Sequence, residues 1–188
     1  MKTAAFPTPL KNAPLWPLSV EAYHALGEAG LIPKNTELLY GFVYNKMSKS
    51  PLHSGLVRRS LRRLRAATLP GCFITSEQPI TCVDSEPEPD AAVIRGEEDA
   101  LTDHPKTAEL VIEVCVTSHD YDRSKLRAYA DANVKEVWLV LAPEKQVEVH
   151  RQPADGAYSQ IALHGPGGKL TAAALPSFTL DLDELFAP

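Results

Sequence analysis

The chain has 188 residues, the length of one ordinary domain, and is 44% hydrophobic and 23% charged, a balance that excludes a disordered protein. Its 19 basic and 24 acidic residues leave a net charge of −5, which excludes an overall cationic nucleic-acid coat protein. Nothing approaches the ~18 consecutive apolar residues of a membrane helix, and three cysteines without C-x-x-C spacing argue against a disulfide scaffold or a thiolate zinc site.

Residues 1–17 read as a proline-rich N-terminal arm, and 18–188 as a single domain. Pro7, Pro9, Pro14 and Pro17 interrupt any secretion signal, so a cytoplasmic location is expected. Ser19 is placed to cap a short helix running through Leu26 and stopped near Gly30. Glu37–Tyr44 reads as two short strands around a glycine turn. A helix is expected from about Pro51 to Leu69, with Val57, Leu61 and Leu64 on one face and Arg58, Arg62 and Arg65 on another. Strands follow at Cys72–Thr75, Pro79–Val83 and Asp90–Ile94.

Leu110–Val116 is an apolar run with a single charge, the pattern of a strand buried on both faces. A helix over about Asp122–Asn133 and a second apolar strand at Glu136–Leu141 complete a βαβ unit. Gln146–Arg151 and Tyr158–Leu163 read as a hairpin across Asp155-Gly156, and Leu180, Leu182, Leu185 and Phe186 as apolar anchors at the end. The stretch Gly165–Lys169 is only superficially a phosphate loop. Leu170 stands where that motif needs Ser or Thr, so a plain hairpin turn is expected. There is no G-x-S-x-G, H-E-x-x-H or G-x-G-x-x-G motif.

Three residues carry the functional reading. Glu113 is a lone carboxylate in a buried strand, expensive unless paired or coordinated, and an internal salt bridge explains it as well as a metal or catalytic role does. Asp90, after Pro89, taken alone is an ordinary turn residue. Neighbouring strands could nevertheless bring Asp90 and Glu113 together, and two hard oxygen ligands with room for water suit Mg²⁺. Lys125, in the first turn of the next helix, could stabilise charge on a phosphate or could be an ordinary solvated lysine. The cluster Arg58, Arg59, Arg62, Arg63 and Arg65 is either a solvated face or a phosphate-contacting surface.

Pro89-Asp90, Glu113-Val114-Cys115 and Lys125 together resemble the PD-(D/E)xK nuclease superfamily. More closely, the chain resembles the Uma-two family of restriction-endonuclease-like proteins. The matching stretches are Glu37–Gly41, Lys46-Met47 with His53, Ser85–Asp90, Val111–Val114, Tyr121–Leu126 with Tyr129-Ala130, Glu136–Val140 and Leu180–Phe186. The resemblance implies an α/β fold with a central mixed sheet flanked by helices, with Asp90 and Glu113 as ligands of Mg²⁺ or Mn²⁺ and Glu37 as an accessory acid. The superfamily usually carries its lysine two residues after the Glu. Cys115 holds that position here, and the family's lysine lies on the following helix, which assigns the role to Lys125.

The expected function is metal-dependent DNA cleavage, with Arg58, Arg62 and Arg65 on the nucleic acid and His53 and Arg123 as accessory residues. DNA is the expected partner, a homodimer the favoured assembly, and no membrane contact is expected. The alternatives are an inactive nucleic-acid-binding module and a homo-oligomeric protein on the same fold. On this reading Lys125→Met should remove most cleavage while leaving folding nearly intact.

Overall fold

The computed structural model describes residues 14–117 and 119–187, so most of the proline-rich arm, residues 1–13, lies outside the described residues. Ser19 accepts a hydrogen bond from the Ala22 N–H and opens α1 (Val20–Glu28). β1 (Thr36–Leu39) and β2 (Phe42–Asn45) then pair antiparallel across Tyr40–Gly41, whose φ values of 54° and 77° make the two-residue turn that suits a twisted hairpin. Glycine is needed at 41 for space as well, since a Cβ there would stand 2.2 Å from Cβ of Pro17. That close approach lets the Leu18 N–H reach the Gly41 carbonyl while the Gly41 N–H donates to the Asp84 carbonyl, both at 2.9 Å. The hairpin is thereby fixed against the acidic loop that leads to Asp90.

α2 (Pro51–Ala66) starts at a Ser50 cap with proline in its first turn and buries Leu56, Val57, Leu61 and Leu64. It ends three residues before the expected Leu69, which precedes Pro70 and is therefore disfavoured in helical backbone. β3 (Cys72–Thr75), β4 (Ala91–Arg95), β5 (Leu110–Cys115), β6 (Glu136–Leu141), β7 (Gln146–Ala154) and β8 (Ala157–His164) form one sheet in that order. All neighbours are antiparallel except β5 and β6. A parallel pair needs a crossover, and it is built from α3 (His119–Ser124) and α4 (Leu126–Asp131).

The crossover departs from the single helix expected over Asp122–Asn133: it begins earlier and is interrupted at Lys125. There the Lys125 N–H donates to the Asp122 carbonyl, three residues back, at 3.2 Å, and the tightened turn separates the two helical segments. The strand expected at Pro79–Val83 does not form. The Ile80 and Cys82 N–H groups reach the carbonyls of Pro87 and Ser85 at 2.9 and 2.8 Å, yet Pro79, Pro87 and Pro89 have no N–H with which to extend a ladder. The glycine turn at 165–168 does not close a hairpin either. It passes the chain from β8 to β9 (Lys169–Ala172), which pairs with β10 (Leu175–Asp181) in a separate two-stranded sheet before α5 (Leu182–Leu185).

The six-stranded sheet has a core on each face. On one, α2, β9, β10 and α5 cover Ile112, Val114, Trp138 and Val140, with Trp138 stacked on Phe178 at 5.5 Å between ring centroids. On the other, α4 packs Ala128 and Tyr129 over Val111, Cys115, Val137 and Leu139. Period-two alternation sends Glu113 to the second face, beneath the crossover. Among the described residues, no helix is long and apolar enough to cross a membrane.

Candidate active site

Asp90 is the residue immediately before β4. The β4–β5 register pairs Ala91 with Ile112, so continuing it by one step sets Asp90 opposite Glu113. Asp90 is 8% exposed, and its Oδ2 accepts the Val114 N–H at 2.8 Å and stands 3.0 Å from Nε2 of His53 in the first turn of α2. An ionised Asp90 requires that Nε2 donate, and the other ring nitrogen, Nδ1, is buried without a partner among the described residues.

Glu113 is 2% exposed, and its Oε1 accepts from the Tyr129 phenol at 2.7 Å and the Lys125 ammonium at 3.3 Å. Lys125, 4% exposed, is shared: its Nζ is also 3.3 Å from Oε1 of Glu37 on β1. That oxygen accepts from the Tyr121 phenol at 2.7 Å, and the second oxygen of Glu37 accepts the Glu88 N–H at 3.2 Å. Two carboxylates, one ammonium and two phenols therefore meet in one largely buried cluster.

Burial pushes the Glu113 carboxyl up to about 8; Lys125 opposes the rise, and Asp90 and Asp122 add to it. Burial alone would lower the Lys125 ammonium, but the carboxylates of Glu113 and Glu37 outweigh it and hold the lysine above its usual value. Burial, then Glu37, raises the Tyr121 phenol, and burial, then Glu113, raises that of Tyr129, so both remain donors. Cys115 is pushed up by burial and by Asp122, which argues against a thiolate nucleophile.

Asp90, Glu113, Lys125, Glu37 and His53 line one cavity of about 130 Å³, together with Tyr121, Asp122 and the turn between β2 and α2. Six carboxylates (Glu37, Glu77, Glu88, Asp90, Glu113 and Asp122) and three lysines line it, and all three lysines are already paired, Lys125 with Glu37 and Glu113. Lys46 is 2.6 Å from Glu88, and Lys49 is 2.7 Å from Glu77.

The donor set of this cavity suits a hard divalent cation. Among the described residues, no group of three or more His, Cys, Asp or Glu side chains is disposed to hold a metal, so a zinc-type site is not built here. Asp90 and Glu113 each have one oxygen held by two donors, while Asp90 Oδ1 and Glu113 Oε2 make no hydrogen bond among the described residues. Two oriented carboxylate oxygens in an acidic cavity match the one or two protein ligands that Mg²⁺ or Mn²⁺ takes when water and phosphate complete its shell.

The other sequence candidates lie elsewhere. Arg58, Arg62 and Arg65 are exposed, form no ion pair among the described residues and do not line the cavity. Counted from His53 along α2, they lie ~8, ~14 and ~18 Å beyond it at the helical rise. Arg65 instead lines a broader groove with Phe73, Ser76 and Lys106. The cluster is divided in two, since Arg59 donates to the Ala187 carbonyl and Arg63 pairs with Glu184, tying α2 to the end of the chain. Arg123 pairs with Glu148 at 2.8 Å and does not line the cavity. The sequence reading assigned no role to Tyr121 and Tyr129, although both stand four residues from Lys125, the spacing that stacks side chains on one helix face.

Comparison with known proteins places the fold and the family. The fold is that of a solved nuclease-type structure, described as "a putative nuclease belonging to DUF820" from Anabaena variabilis ATCC 29413, at a TM-score of 0.76 and 16% identity, covering 91% of this chain and 98% of that one. The model of the Uma2 family, described as "Putative restriction endonuclease", matches residues 20–183, and the chain belongs to that family. No curated protein matches it.

Proposed function

We propose that this chain hydrolyses phosphodiester bonds in DNA with a divalent cation held by Asp90 and Glu113. The observation that carries the proposal is the position of Lys125, whose ammonium is buried 3.3 Å from Glu113 in the cavity that Asp90 also lines. A bound Mg²⁺ or Mn²⁺ would polarise the scissile phosphate and lower the pKa of a water on it. Asp90 is turned for this task by His53 and the Val114 N–H, which hold one oxygen and leave the other to bind. Glu113 offers its second oxygen in the same way. Lys125 supplies a fixed positive charge that offsets charge developing on the phosphate, and Glu37 keeps that charge in place.

DNA as the substrate comes from the family's description. Arg58, Arg62 and Arg65, exposed and without an ion pair among the described residues of an otherwise acidic protein, are the side chains proposed to contact its backbone away from the cavity.

The test is cleavage of supercoiled, linear duplex and single-stranded DNA with Mg²⁺, Mn²⁺ or EDTA, run beside Glu113→Gln. Metal-dependent cleavage that Glu113→Gln abolishes supports the proposal. DNA binding without cleavage under every condition would favour an inactive binding module on the same fold.

A further inference from the structure

Resting on the reading of Asp90 and Glu113 as cation ligands, we infer that Tyr129 is a positioning residue that orients Glu113 toward the cation. Glutamate is a poor ligand unless its carboxylate is held, because its side chain turns freely about several bonds and an adjacent ammonium draws both oxygens. In this site Tyr129 restrains the turn. Its phenol, fully buried on α4, donates to Oε1 of Glu113 at 2.7 Å, and Lys125 reaches the same oxygen at 3.3 Å. Both donors on one oxygen leave Oε2 without a hydrogen bond among the described residues.

Glu37 shows what happens when both oxygens are held. Its Oε1 carries the matching pair, Tyr121 and Lys125, but its Oε2 is already bonded to the Glu88 N–H. Glu37 is thus built to hold the lysine, whereas Glu113 keeps an oxygen in reserve. Partners such as Tyr129, which orient a ligand without touching the metal, commonly change metal affinity by about 10–100-fold when removed.

The test is Mn²⁺ binding to the DNA-free protein, followed by electron paramagnetic resonance of the unbound ion. Tyr129→Phe keeps the ring and its packing and should raise the Mn²⁺ dissociation constant at least tenfold. Tyr158→Phe is the control for losing a buried phenol: its hydroxyl donates to the Val134 carbonyl at 2.9 Å and it does not line the cavity, so its Mn²⁺ affinity should match that of the parent protein.

A second measurement compares Glu113→Gln with Glu113→Gln/Tyr129→Phe. With no carboxylate at 113 to orient, and with Lys125 still paired with Glu37, the second substitution should have no further effect on Mn²⁺ binding. Tyr129→Phe with parent-like affinity, or an additive loss in the double variant, would overturn the inference while leaving the cation site standing. A parent protein that binds no Mn²⁺, or binds it equally well as Asp90→Asn, would instead overturn the cation reading and this inference with it.

Discussion

Replacing Lys125 by methionine tests the electrostatics of the site before any chemistry is measured. The side chain is 4% exposed and its ammonium bridges Glu37 and Glu113, so the expectation that Lys125→Met leaves folding nearly intact does not survive its burial. At pH 7.5 Glu113, at about 8, is largely protonated, which leaves the Glu37 carboxylate as the charge the lysine balances. Without the ammonium that buried carboxylate loses its cation, at a cost of about 3–5 kcal/mol.

A loss of that size is a fall of about 6–20 °C in Tm for a chain of this size. Lys125→Met/Glu37→Gln removes the stranded charge and should recover most of the loss at pH 7.5. Thermal and urea unfolding of the metal-free proteins reads both effects. A Lys125→Met deficit that Glu37→Gln does not relieve would refute the reasoning. The double variant is then the proper vehicle for asking whether cleavage falls by 10²-fold or more, the effect of losing roughly 2.7 kcal/mol of preorganised charge stabilisation.

Other outcomes follow from the same geometry. Because the Glu113 carboxyl is raised to about 8 in the folded protein, its contribution to metal-free stability is full below about 4.5 and is lost as pH rises toward 8. Unfolding of the parent protein beside Glu113→Gln at pH 5 and 8 should show the parent losing ground relative to the variant, and a gain with pH would contradict the assignment. Substituting Arg58, Arg62 and Arg65 together by serine should leave the fold intact and flatten the salt dependence of DNA binding by ~3 in log–log slope; an unchanged slope would assign the stripe to solvent. His53→Ala should weaken Mn²⁺ binding by freeing Oδ2 of Asp90, with little change in Tm, and parent-like Mn²⁺ affinity would make the imidazole merely structural.

Much of the site was legible because its cost was visible in one dimension. A carboxylate inside Leu110–Cys115 and an Asp after Pro89 both stand out against their surroundings, and β-strand alternation places Glu113 under the crossover. Glu37, by contrast, sits in a strand of four buried residues and came only from the family resemblance, because its partners are 51 to 88 residues away in sequence. Tyr121 and Tyr129 had a usable signal in their spacing from Lys125. The break at Lys125, where the backbone N–H donates to the Asp122 carbonyl, had none.

The β9–β10 hairpin escaped notice for a similar reason. Its sequence is rich in alanine and interrupted by Pro176, and it is anchored by distant groups: Glu136 accepts the Ala173 N–H and Arg151 donates to the Thr171 carbonyl. The arginine cluster looked uniform as sequence, and only the end of the chain, packed against α2, separates Arg59 and Arg63 from the exposed three.

The most direct measurement is nicking and linearisation of supercoiled plasmid by the purified protein in Mn²⁺, beside Asp90→Asn at the same concentration and with EDTA. Asp90→Asn preserves the shape of the side chain and removes its charge. The account predicts Mn²⁺-dependent cleavage by the parent protein, abolished by EDTA and reduced at least 10²-fold in the variant, a loss of roughly 2.7 kcal/mol in transition-state stabilisation. Cleavage by Asp90→Asn at the parent's rate, or cleavage that EDTA leaves untouched, would contradict it.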